Sequence, residues 1–133
     1  MLKHIKTLLK NNSFLVAFVI TIIIFCLSLI RMPNSPTKFT FSNIDKLFHG
    51  FAYFILTLSW LIAYYKKPGE KYLIVICCII FGIIIELLQS TMTIYRTGDY
   101  LDVIANSAGV LFALLIFNLI SKKIRLKINK TGI

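Results

Sequence analysis

The sequence predicts an all-α integral membrane protein, a bundle of four transmembrane helices with both termini on the cytoplasmic side. Three observations predict it. Composition is the first: 58% of the 133 residues are apolar and the mean hydropathy is +0.83, too apolar for a soluble domain of this length. The second is that the apolar residues gather into four runs, each near the roughly 17 to 25 residues that carry a helix across a bilayer. Lipid offers the backbone no hydrogen-bond partner, so long unbroken runs satisfy their amides as helices, whereas a barrel would read as short alternating strands. The third is where the charge lies. A net charge of +10 is compatible with a nucleic-acid binder, but the basic residues flank the apolar runs instead of lining one stripe, which argues against a nucleic-acid partner.

The elements follow in order, within one domain covering residues 1–133. Span one, about 14–30, is preceded by Lys3, Lys6 and Lys10. A secretory signal has a similar basic start, but the run is long for a signal core and Arg31-Met32-Pro33-Asn34 offers no small-residue cleavage site, so an uncleaved anchor is expected. The loop that follows, residues 31–45, holds two prolines and Lys38-Phe39-Thr40-Phe41, and Ser42 or Asn43 is placed to cap the next helix. Span two, about 47–65, is free of charge apart from His49. Lys66-Lys67-Pro68-Gly69-Glu70 is a tight turn, making spans two and three antiparallel neighbours. Span three, about 72–90, is interrupted by Glu86, and span four, about 101–120, is polar only in its first two turns. Isoleucine-rich stretches within the spans read as lipid-facing surface. Cys26, Cys77 and Cys78 all lie inside spans, where a free thiol acts as a small hydrophobe, and they give neither a disulfide framework nor zinc spacing.

Orientation comes from the basic residues. Eleven lie at the termini and in the turn between spans two and three, and four (Arg31, Lys38, Lys46 and Arg96) lie in the other two loops. The positive-inside bias then places the termini in the cytoplasm and the third loop outside, in a multi-pass protein of the plasma membrane. Tyr64, Tyr65 and Tyr72 at one boundary and Tyr95 and Tyr100 at the other fit interfacial aromatic belts.

Four of the five carboxylates, Asp45, Glu86, Asp99 and Asp102, lie with Lys46, His49, Gln89, Arg96 and Asn106 at or just inside span ends. Ionisable groups inside apolar spans are costly, and their presence marks pairing or function. The topology brings all of them to one leaflet, expected to be the outer one. Helical spacing puts Asp45 with His49, Glu86 with Gln89, and Asp102 with Asn106 on shared faces. Ala105, Gly109 and Ala113 form a small-xxx-small row beside the last pair, which suggests that helix four packs centrally with its polar groups inward.

Asp45-Lys46-Leu47-Phe48-His49 with Tyr53, Glu86-Leu87-Leu88-Gln89, Arg96-Thr97-Gly98-Asp99-Tyr100-Leu101-Asp102 and Asn106-Ser107-Ala108-Gly109 closely resemble the VanZ-like family over roughly residues 40–118. The resemblance implies a small membrane protein of Gram-positive type, with a namesake that gives low-level resistance to the glycopeptide teicoplanin. It supplies no biochemical activity, so the chemistry rests on the residues.

His49 has Asp45 one turn away to orient it and titrates near neutrality when unperturbed, which suits proton transfer. Glu86, inside a span, is either neutral or paired with a cation, and pairing with Arg96, Lys46 or His49 would hold helices together without chemistry. His49 and Glu86 are the candidate acid and base. Arg96 and Lys46 suit a phosphate or carboxylate, although Arg96 also fits a snorkelling interfacial role. Asp99 and Asp102 can join Glu86 and His49 around a divalent metal, or act as helix caps, and the sequence leaves metal and cofactor unassigned. Asp45, Gln89 and Asn106 complete the candidate binding set. The expected partners are membrane lipids, among them a lipid-linked cell-wall precursor or a lipoteichoic-acid-type glycolipid. Two classes stay open: an intramembrane hydrolase or transferase acting on such a lipid, and a non-catalytic lipid-binding, transport or structural protein.

Overall fold

The computed structural model describes residues 2–29, 38–92 and 100–131. Among them every regular element is helical: α1 (Leu2–Leu29), α2 (Lys38–Ala63), a short 3-10 turn (Pro68–Glu70), α3 (Lys71–Met92) and α4 (Tyr100–Thr131). Each long helix contains a stretch apolar enough to cross a membrane: Asn12–Leu29, Lys46–Ala63, Lys71–Gln89 and Tyr100–Ile124. The chain is thus an all-helical protein with four membrane-spanning helices, and the helices outrun the apolar runs that predict them.

The differences have local causes. The helix α1 starts well before its apolar run and departs from helical geometry at Asn12 (φ −117°, ψ 15°). That position lies in Asn11-Asn12-Ser13, residues whose side chains compete for backbone hydrogen bonds. The helix α2 begins at Lys38, so Ser42 and Asn43 lie inside it and neither is its cap. No proline follows Pro36 before Pro68, and nothing stops the helix from forming that early. The helix α4 runs on through the basic segment to Thr131, since Ser121 to Thr131 contains no Pro or Gly. The chain reverses between α2 and α3 through Lys67 N–H donating to Tyr64 O (2.9 Å) and Glu70 N–H to Lys67 O (3.0 Å).

Both α2 and α3 touch the other three long helices, α2 with the more extensive contacts, whereas α4 packs on α2 and α3 and does not touch α1 among the described residues. This corrects the expectation of a central α4: α2 and α4 share the tightest seam, but α1 reaches the bundle through α2 and α3. At that seam Gly109 meets Gly50. A Cβ on Gly109 would overlap the Gly50 carbonyl oxygen and lie 2.9 Å from its carbonyl carbon. The small-residue row on α4 therefore works by backbone approach to a glycine on α2, the close packing that replaces a hydrophobic driving force in lipid. The turn does make α2 and α3 antiparallel, but α2 lies more closely against α4 and α1 than against α3.

The core is narrow. Tyr53, Leu56, Leu61, Ile74, Val75, Cys78 and Val110 form one buried cluster. Large apolar side chains such as Phe18, Ile22, Ile76, Ile83, Phe112 and Leu115 point outward, where a soluble protein would be polar and a membrane protein meets acyl chains. The exposed isoleucines agree with their reading as lipid-facing surface. Helix α1 is fastened along its second half and at its C-terminal end: Trp60 Nε1 donates to Thr21 Oγ1 (2.9 Å) and Gln89 Nε2 to Ser28 O (2.7 Å). Phe14 packs edge-on against Trp60.

Candidate functional site

Because α3 runs antiparallel to α2 and α4, its C-terminal end arrives where they begin, and the polar residues of three helices reach one end of the bundle. One ligand atom each from His49 of α2, Glu86 of α3 and Asp102 of α4 lie within 4.8 Å of one another. Glu86 is buried, at 6% exposure, while His49 and Asp102 are half-buried. The cluster thus opens at its rim and closes at Glu86. Lys46, three residues before His49 and half-buried, stands on the same helix at this end.

One turn deeper, α2, α3 and α4 meet again through residues four positions on. Tyr53 follows His49, Gly82 precedes Glu86, and Asn106 follows Asp102, so each stays on the face of its neighbour above. A Cβ built on Gly82 would lie 3.1 Å from Tyr53 Cε1 and 3.4 Å from Asn106 Cβ, showing that the missing side chain is what lets the other two close beneath the cluster. Tyr53 and Asn106 are almost fully buried. Among the described residues neither the Tyr53 hydroxyl nor either polar atom of the Asn106 amide has a hydrogen-bond partner. A buried polar atom without a partner typically costs about 1 to 3 kcal/mol. A further turn down, Thr57, Cys78 and Val110 are buried as the core becomes apolar.

His49, Glu86 and Asp102 are therefore brought together, with Asn106 below them. Gln89, expected to share their site through its spacing from Glu86, is 2% exposed and bonds to the end of α1. The side chain of Asp45, and Arg96 and Asp99 altogether, lie outside the described residues. Tyr53 and Gly82 belong to the site but carry no signal of their own type. What could have found them is the four-residue step from His49 and from Glu86 on the same helices.

A separate cavity of about 340 Å³ lies between α1, α2 and α3, lined by Thr21, Leu56, Trp60, Leu73, Cys78 and Phe81 among others. It holds none of the clustered acids or His49, and its apolar wall suits hydrocarbon instead of chemistry. The polar cluster itself combines an imidazole with two carboxylates in surroundings of low dielectric. That set can move a proton, ligate a cation or, with a basic neighbour, hold an anionic head group.

A model of the family described as VanZ/LLP1 matches residues 3–121. A relative from Schizosaccharomyces pombe, uncharacterized protein C11E3.10, is 36% identical over 85 residues, which is 62% of this chain. The match covers 51% of the fission yeast protein, so the chain corresponds to about half of that relative's length. No solved structure matches significantly.

Proposed function

The chain belongs to the VanZ/LLP1 family, and from that premise we propose that it binds or processes a lipid-linked molecule of the cell envelope. The site is the polar end of the bundle, in the outer leaflet of the plasma membrane, and the outcome for the cell is tolerance of glycopeptides such as teicoplanin. The observation that carries this reading is the meeting of His49, Glu86 and Asp102 from three separate helices inside a membrane-spanning bundle. One acid and one base suffice to tie two helices together. Three ionisable groups drawn from three helices and half-open at the rim support the reading of a receptor for a charged head group. A lipid enters such a receptor by lateral diffusion, its chains on the exposed apolar flanks and its head group at the cluster. Lys46 supplies positive charge for a phosphate or carboxylate. A cell-wall precursor lipid and a lipoteichoic-acid-type glycolipid share such a phosphate-bearing head.

Two measurements test this. His49→Gln and Glu86→Gln are expected to leave membrane abundance within about twofold of the parent while abolishing teicoplanin tolerance in cells that depend on the protein. Full tolerance in both well-folded variants would make the cluster a helix strut and end the reading. For the leaflet, a cysteine at Thr93 in a chain lacking Cys26, Cys77 and Cys78 should react with an impermeant maleimide from outside, and one at Pro68 should not. The reverse pattern would put the cluster on the cytoplasmic face.

A further inference from the structure

We propose that His49, Glu86 and Asp102 are the protein ligands of a divalent metal ion of the zinc or manganese type, held at the polar end with an open position for a phosphate oxygen of the lipid head group. This rests on the lipid-head-group reading above and names the agent of recognition.

Geometry comes first. Two ligand atoms, each about 2.1 Å from one ion, are at most about 4.2 Å apart. The three atoms here lie within 4.8 Å of one another, so movements of a fraction of an ångström close them on a common ion. The ligands arise on three different helices whose seams are fixed elsewhere, by Gly50 against Gly109 and by the close approach of Tyr53 and Asn106 across Gly82. Backbone packing thus sets their positions, as a preformed metal site requires.

Charge points the same way. With both carboxylates ionised and His49 neutral the three side chains carry −2 between them, with Lys46 on the helix of His49, and Glu86 among them is 6% exposed. A divalent cation cancels the −2 of the neutral-imidazole form, which is also the form in which imidazole ligates. One nitrogen and two oxygen donors suit zinc, manganese or iron(II) better than magnesium or calcium, which prefer oxygen alone.

The second, independent observation is Asn106. It lies on the Asp102 face one turn below, is 2% exposed, and has both polar atoms without partners among the described residues. The Tyr53 hydroxyl shares that condition at the same level. Buried donors and acceptors left open directly beneath a ligand set are the groups that orient metal-bound water or a ligand oxygen. Three protein ligands leave at least one coordination position free, which is the arrangement of a site that binds a substrate and not of a structural one. Under this reading His49 and Glu86 act as ligands and not as the acid and base expected of them.

The test uses the full chain, without a histidine tag, in lipid nanodiscs. Zinc content after dialysis against the free metal is expected to be one equivalent per chain. Cobalt(II) in its place should give visible ligand-field bands of a low-coordinate site. His49→Gln, Glu86→Gln and Asp102→Asn should each weaken binding at least about tenfold. Asp102→Glu should retain it within a few-fold, and Glu70→Gln, at the other end of the bundle, should not change it. A wild-type chain that binds no stoichiometric metal, or one in which Asp102→Asn binds as tightly as the parent, overturns the proposal. The two readings fail separately. Absent metal with tolerance lost in Glu86→Gln removes the metal and leaves the lipid receptor. Bound metal with tolerance intact in Glu86→Gln keeps the metal and removes the receptor.

Discussion

Where α2 turns back into α3, the polar side chains that enter the helix seams have evident partners. Trp60 Nε1 reaches Thr21 Oγ1, which in turn donates to Ala17 O (2.8 Å), and Lys71 Nζ reaches Asn118 Oδ1 (2.9 Å). The interior beside them is Leu61, Ile74 and Val75. At the opposite end His49, Glu86 and Asp102 lie over Tyr53 and Asn106, and the last two hold polar atoms without hydrogen-bond partners among the described residues. The turn end uses polarity as glue between helices, with Trp60, Thr21, Lys71 and Asn118 satisfied across the seams, while midway down the core Thr57 Oγ1 has no hydrogen-bond partner among the described residues. The other end keeps open hydrogen-bonding capacity that destabilises the fold, and a protein retains such a feature where a ligand completes it. Within one bundle and one solvent, the contrast separates polarity that holds the structure from polarity that serves it.

The comparison can be broken or sharpened by substitution. The largest effect is expected at the seam on which the polar end depends. Gly109→Ala should cost about 3 kcal/mol or more, because the new methyl meets backbone that no rotamer change can move. Gly50→Ala, whose Cβ would lie 3.4 Å from Ala105 O, should stay within about 1 kcal/mol, helped by helix propensity. Folded yield and thermal midpoint in detergent measure both. Equal tolerance of the two would mean that α2 and α4 are not locked at this crossing, and the geometry of the cluster would lose its support.

A smaller effect with the opposite sign is expected at Asn106. Asn106→Leu removes an unsatisfied buried amide at similar volume and should raise stability by about 1 to 3 kcal/mol while abolishing teicoplanin tolerance. A stability gain joined to a functional loss would mark the polar end as built for a ligand. A lowered thermal midpoint would instead show that the amide is satisfied in the folded protein, and the contrast between the two ends would disappear.

How much of this is legible in the sequence depends on which degree of freedom is in question. The four spans follow from hydropathy, because the bilayer fixes both the length of a span and the cost of a charge within it. The grouping of Asp102, His49 and Glu86 at one end follows from antiparallel order alone. Family membership was legible in Asp45 to His49, Glu86 to Gln89 and Arg96 to Asp102, although Asp45, Arg96 and Asp99 carry that recognition from outside the residues whose side chains are described. Helix limits were less legible, since α1, α2 and α4 extend past their apolar runs wherever no proline or glycine stops them.

The sequence by itself thus determined the solvent, the number of spans and the end of the bundle at which the ionisable residues collect. Only the tertiary structure decided that α2 and α4 share the tightest seam, that Gly109 rides on the backbone of Gly50, that Gln89 bonds to α1 while Glu86 joins His49 and Asp102, and that Tyr53 and Asn106 close the site from below. The physical reason is rotation. A 3.6-residue period states which residues share a face of one helix, but the angle at which that face meets its neighbours is set by packing between helices, and no single helix carries that information.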